Sequence, residues 1–94
     1  MHARVVRFTD VSPERIEQLV QQVEESGGPP PDVESTGMQL LYDASQGTAL
    51  FIGYFENEEK LRAAHQVFDQ MDASDTPGTR ASVDQAEVKI ERSA

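Results

Sequence analysis

The stretch Gly37-Met-Gln-Leu-Leu-Tyr-Asp-Ala-Ser-Gln-Gly-Thr-Ala-Leu-Phe-Ile-Gly-Tyr-Phe55 decides the fold. Met38–Asp43 reads as a strand with Met38, Leu40 and Tyr42 on one face. Ala44-Ser45-Gln46-Gly47 closes a hairpin, its glycine supplying the positive φ that such turns need. Thr48–Phe55 is the returning strand, and it is apolar on both faces: Leu50, Ile52 and Tyr54 point one way, Ala49, Phe51 and Phe55 the other. Two helices cover one face of a small sheet, so the second apolar face calls for a partner chain or a ligand. Left in water it would form a patch of roughly a few hundred Å², which monomers rarely expose without a use for it. At about 25 cal/mol per Å², covering it is worth several kcal/mol per subunit before association costs.

The rest of the chain supplies the partners of this hairpin. Residues 3–9, Ala-Arg-Val-Val-Arg-Phe-Thr, read as a strand that Asp10 and Ser12 terminate. Arg4, Val6 and Phe8 share one parity, Val5 and Arg7 the other. Ser12-Pro13-Glu14 starts a helix with a capping hydroxyl, a proline at the first helical position and a carboxylate at the positive end of the dipole. Ile16, Leu19, Val20 and Val23 form its apolar stripe, and Gly27-Gly28 with Pro29-Pro30-Pro31 stops it. Glu24–Ser35 is expected as a rigid surface connection, because triple proline favours extended backbone. Glu56-Asn57 caps a second helix carrying Leu61, Ala64, Phe68 and Met71 at helical spacing. Asp72–Thr79 ends it, and a last strand is expected over about Ala81–Glu91. There Ala86, Val88 and Ile90 alternate with charged residues, and a bulge near Asp84-Gln85 would absorb the opposite phase of Ala81 and Val83.

The order strand, helix, strand, strand, helix, strand predicts one α+β domain over residues 1–94 with a ferredoxin-like βαββαβ topology. Its antiparallel sheet would carry both helices on one face. Composition narrows the function. With 94 residues, only roughly 60–65% of the unfolded surface becomes buried, a shortage that dimerisation relieves. There is no cysteine, which removes disulfides, thiolate metal sites and a cysteine nucleophile. Eight basic against seventeen acidic residues give a net charge of −9, which repels phosphate backbones and anionic lipid, so neither nucleic acid nor membrane is an expected partner. No apolar run approaches the roughly 20 residues of a membrane span. The start of the chain lacks a signal-peptide pattern, which makes a cytoplasmic location the default expectation.

With these elements in place the chain resembles the antibiotic-biosynthesis monooxygenase-like family of dimeric α+β barrels. The resemblance rests on the Arg-Val-Val-Arg-Phe first strand and the proline-initiated first helix. It continues with Gly37-x-x-Leu40-Leu41-x-Asp43 followed by Gly47, a strand ending Tyr54-Phe55-Glu56, and Asn57-Glu58-Glu59-x-Leu61-x-Ala63. It implies two sheets facing one another in a homodimer, a pocket between each sheet and its helices, and no cofactor. Members that oxidise polyketide-like phenols, and relatives that degrade haem, rely on a first-strand asparagine and a nearby tryptophan. This chain has Asn57 as its one asparagine and no tryptophan, and it carries Phe55-Glu56 where the family usually has Trp-Glu. No catalytic residue is therefore assigned.

The pocket candidates are Arg4, Phe8, Tyr42, Tyr54, His65 and Phe68. His65 flanks the apolar stripe of the second helix, where it is either a half-buried edge of the core or a group that titrates near neutral pH. No histidine and carboxylate spacing resembles a metal motif, so no metal is expected. Tyr42 and Tyr54 would share one face, as core aromatics or as phenols binding a polar group on an aromatic ligand. Arg4 would either pair with an acidic neighbour or hold an anionic substituent. Leu50, Ile52 and Tyr54 are assigned to the helices, and Ala49, Phe51 and Phe55 to the dimer interface; inverting the two faces leaves the dimer expectation intact. The leading expectation is a homodimeric domain binding a small apolar or aromatic molecule. The alternatives are a cofactor-independent monooxygenase or isomerase acting on a small aromatic compound, with His65 or a tyrosine as base, and a non-catalytic dimeric interaction module.

Overall fold

A computed structural model describes residues 1–27, 33–70 and 78–92. Its elements run β1 (His2–Thr9), α1 (Pro13–Ser26), β2 (Gly37–Asp43), β3 (Thr48–Phe55), α2 (Glu58–Asp69) and β4 (Thr79–Glu87). The four strands form one antiparallel sheet in the order β2-β3-β1-β4, and two helices accompany it. This α+β arrangement is compatible with a ferredoxin-like fold. Ser12 caps α1 by accepting from the Arg15 amide at 3.2 Å, Pro13 opens the helix, and Gly27 ends it at φ 69°. Asn57 caps α2 in the same way, accepting from the Lys60 amide at 2.9 Å.

The hairpin decides which side chains face the helices. Asp43 pairs with Thr48 across Ala44–Gly47, so even-numbered residues of β2 lie opposite odd-numbered residues of β3. Gly47 adopts φ 64°, and its carbonyl accepts from the Val11 amide at 2.9 Å, tying the turn to the start of α1. Tyr42 is thus opposite Ala49, and Ala49 is opposite Phe8. The helix-facing surface comprises Met38, Leu40 and Tyr42 of β2, Ala49, Phe51 and Phe55 of β3, and Arg4, Val6 and Phe8 of β1.

This is the reverse of the expected assignment. Ala49 and Phe55 are each 1% exposed within a single chain, and half-buried Phe51 meets Phe68 edge-on at 6.3 Å. All three therefore serve the core under the helices and are not available as an interface. Leu50, Ile52 and Tyr54 lie on the uncovered face instead. Both faces of β3 are apolar, so hydropathy alone could not order them.

The core has two parts. Val6, Phe8, Val11, Ile16 and Ala49 form one, with Leu19, Leu40, Tyr42, Phe51 and Val83 against it. Val33, Phe55, Leu61 and Ala64 form the other, flanked by Val67 and Phe68. Val33 corrects the reading of Glu24–Ser35 as a surface connection: α1 continues through Ser26, and Val33 is 5% exposed beneath α2. Residues 28–32, which include the triple proline, and 71–77, which include Met71, lie outside the described residues.

The last strand also differs from expectation. Arg7 pairs with Ser82 but Phe8 with Arg80, so the irregularity sits at Ala81 and not at Asp84-Gln85. The strand ends at Glu87, and Ile90 is 82% exposed. Val83, Gln85 and Glu87 carry the inward parity, while Ala86 faces outward and is exposed.

Candidate functional site

Alternation along β1 places Arg4 beneath α2, between Gly53 of β3 and Gln85 of β4. Gly53 contributes no side chain to this row; a methyl group there would come within 3.2 Å of the Phe55 ring. On α2, Leu61 and Ala64 point into the core, which leaves His65 and Phe68 along the flank that overhangs Arg4. The Arg4 side chain is 5% exposed. Its Nε donates to Nδ1 of His65 at 3.1 Å, and its guanidinium carbon lies 5.1 Å from the centre of the Phe68 ring. An arginine nitrogen can only donate, so Nδ1 of His65 is an acceptor here and the ring proton is assigned to Nε2.

No carboxylate among the described residues forms an ion pair with Arg4. Among the described residues the ion pairs join Lys60 to Glu34 and Glu56, Arg62 to Glu58, Arg80 to Asp69 and Lys89 to Glu87. Arg80 of β4 gives its charge to Asp69 at 3.0 Å. The Arg4 guanidinium is held well below its ordinary range, at about 10, chiefly by burial and next by the charge of Arg80, with Asp69 opposing. A buried guanidinium whose acceptors are one imidazole nitrogen and one ring face is a strong donor short of an anion.

A groove of about 260 Å³ runs between the first turns of α2 and the helix-facing row of β4. His2, Glu58, Leu61, Arg62, Gln85 and Glu87 line it. Glu58 is tied to Arg62 and Glu87 to Lys89, so the charged groups of the wall are already matched. His2 Nδ1 is buried with no hydrogen-bond partner among the described residues. The groove reaches Gln85, the register partner of Arg4. None of the described histidine, aspartate and glutamate side chains converge in a group of three or more able to hold a metal.

Of the six pocket residues expected, the structure brings Arg4, His65 and Phe68 together. Phe8 and Tyr42 belong to the α1 side of the core, where the Tyr42 hydroxyl donates to the Val11 carbonyl at 3.3 Å. Tyr54 is on the uncovered face, its hydroxyl donating to Gln39 Oε1 at 2.9 Å. The two tyrosines therefore stand on opposite sides of the sheet. Gln85 and Glu87 were not foreseen in the groove wall, because the expected bulge position assigned them the outward parity. Their shared parity with half-buried Val83 was the usable signal.

The uncovered face presents Val5, Leu50, Ile52 and Tyr54, all half-buried, with Leu41 46% exposed at its border. No helix of the described residues is long and apolar enough to cross a membrane. Compared with protein-family models and with curated proteins, the chain matches none.

Proposed function

We propose that the chain is a homodimeric small-molecule-binding domain of the antibiotic-biosynthesis monooxygenase-like type, a ferredoxin-like dimeric α+β barrel whose ligand enters the groove between α2 and β4. The observation that carries the binding reading is Arg4, a buried guanidinium without a carboxylate partner among the described residues, whose register partner Gln85 lines a groove with matched charges. Structural arginines ordinarily acquire an acidic neighbour, and this chain has seventeen carboxylates from which to supply one. The dimer reading draws on Val5, Leu41, Leu50, Ile52 and Tyr54, which form an apolar surface on the face that neither helix covers. A second copy placed face to face would bury them.

The geometry favours binding over the oxygenase or isomerase alternative. His65 Nδ1 is engaged by Arg4, and Tyr54, one of the phenols available as a base, is on the other side of the sheet. Native mass spectrometry of freshly purified protein tests both parts. The expected result is a dimer at micromolar concentration, with retained ligand or, once stripped, a thermal shift with small organic compounds. A monomer overturns the assembly; a dimer that neither retains nor responds to any compound overturns the binding reading.

A further inference from the structure

We propose that the Arg4–His65 pair receives an organic carboxylate, and that the carboxylate brings a proton onto Nδ1 of His65. This rests on the small-molecule-binding reading and specifies both the chemistry of the ligand and its coupling to pH. The starting point is the hydrogen bond from Arg4 Nε to His65 Nδ1. It occupies the Nδ1 lone pair, the position at which this imidazole would accept a further proton.

A carboxylate offers the guanidinium a better acceptor. The two groups share planar, two-pronged geometry, and an ionised acceptor makes hydrogen bonds roughly twice as strong as a neutral one. Once Arg4 turns its donors to the carboxylate, Nδ1 is released beside a new negative charge. Nδ1 can then take a proton from solvent hydronium, an N–H bond forming as the donor's O–H bond breaks and water is released, and the new N–H donates a hydrogen bond to a carboxylate oxygen.

The surrounding charges select a monoanion. Those around His65 are Arg4 from β1, which donates to it, and Arg62 and Asp69 one turn to either side on α2, with Arg80 of β4 paired to Asp69. Arg62 is committed to Glu58 and Arg80 to Asp69, which leaves Arg4 as the charge without an ion-pair partner among the described residues of this cluster. A phosphate dianion would meet one uncommitted cation in a chain of net charge −9. Entry is by way of the groove, past the exposed Gln85 side chain.

The test is calorimetric titration of the full chain with sodium benzoate and with neutral benzamide at pH 6, 7 and 8, in a cationic buffer that does not compete for Arg4. Benzoate stays ionised throughout. Its affinity is expected to rise as the pH falls from 8 to 6, at up to about tenfold per pH unit where binding takes up one proton, while benzamide binds weakly and without pH dependence. Arg4→Met abolishes benzoate binding with the thermal transition retained. His65→Gln keeps an acceptor for Arg4 Nε but cannot take up the proton, so benzoate still binds and the pH profile flattens. A flat wild-type profile, or benzoate binding that survives Arg4→Met, overturns the inference and leaves the binding reading standing. Absence of benzoate binding overturns it as well, and the broader reading is then judged by its own mass-spectrometric test.

Discussion

Arg4 on β1 and His65 on α2, 61 residues apart in sequence, are joined through Nε and Nδ1 at 3.1 Å, and this is the one side-chain hydrogen bond among the described residues from the helix-facing row of β1 to α2. It links a group whose charge opposes folding to a helix held mainly by apolar contacts. Burial foremost lowers the Arg4 guanidinium from its ordinary value to about 10, so above that pH the unfolded chain binds the proton more tightly than the folded one. Stability therefore rises as pH increases above about 10 toward the ordinary guanidinium value, and at every lower pH the full burden of the buried cation is present.

Arg4→Met should consequently leave the fold at least as stable at pH 7. Methionine takes the place of the Arg4 side chain against Phe68 without a charge, and replacing a buried ionic group by an apolar one of similar size is neutral or stabilising by roughly 1–4 kcal/mol. The lost contact with the Phe68 ring, about 1 kcal/mol, works against this. Urea unfolding of both proteins checks the balance; a loss above about 1 kcal/mol would mean that Arg4 is a structural strut.

Val33 makes the opposite kind of prediction. It is 5% exposed among Phe55, Leu61 and Ala64, and Lys60 reinforces its position by reaching Glu34 at 3.3 Å and Glu56 at 3.1 Å. Val33→Ala removes two methyl groups from a site that cannot collapse freely, and should lower stability by about 1–2.5 kcal/mol. Val20→Ala, at a position 41% exposed on α1, is the control and should change it by less than about 0.5 kcal/mol. Equal effects in urea titrations would place Val33 outside the core.

The elements themselves were legible because local chemistry specifies them. Ser12-Pro13 and Asn57 start helices, and Gly47 closes a hairpin whatever lies beyond. The two-sided apolarity of β3 was equally plain, but its orientation was not, since Ala49, Phe51 and Phe55 are no more apolar than Leu50, Ile52 and Tyr54. The loop Ala44–Gly47 held the answer for the tyrosines: four residues between Asp43 and Thr48 put Tyr42 opposite an odd-numbered neighbour and therefore on the other side from Tyr54. Val33 has no periodicity to announce it, because its burial depends on tertiary position. Arg4, His65 and Phe68 could each be singled out by type and parity. That they meet depends on how α2 lies over β1, which no local pattern encodes.

Ile52 tests the proposed assembly. It occupies the uncovered face between Val5 of β1 and Gln39 of β2, with Leu50 and Tyr54 on either side along β3. A lysine there can lift its ammonium into water in a monomer but would be buried between two sheets in a dimer, where desolvation is costly. Ile52→Lys should leave the far-ultraviolet dichroism intact and shift the mass measured by light scattering from two chains to one. Phe55→Ala provides the contrast. Phe55 is 1% exposed against Leu61 and Ala64, so its loss should lower the unfolding free energy by about 3–5 kcal/mol whether or not the chain dimerises. An Ile52→Lys protein that retained the wild-type mass would exclude this face as the interface.

Asp43 gives the clearest pH dependence outside the site, and it concerns the hairpin that sets the register. Its carboxylate accepts from the Ser45 hydroxyl at 2.6 Å, the Ser45 amide at 3.0 Å and the Gln46 side chain at 3.0 Å. These bonds, the Ser45 hydroxyl foremost, hold the carboxyl below its ordinary value of 3.8. The unfolded chain therefore binds the proton more readily, and the stabilisation is fully present above pH 3.8 and lost as pH falls through the lower folded value. Asp43→Asn should be less stable than the wild type at pH 7, with the difference shrinking as the solution is acidified below about pH 4. Thermal unfolding of both proteins at intervals from pH 7 to pH 2.5 would reveal this convergence. A difference that stayed constant across the range would mean that the turn is held by the shape of the side chain and owes nothing to its charge.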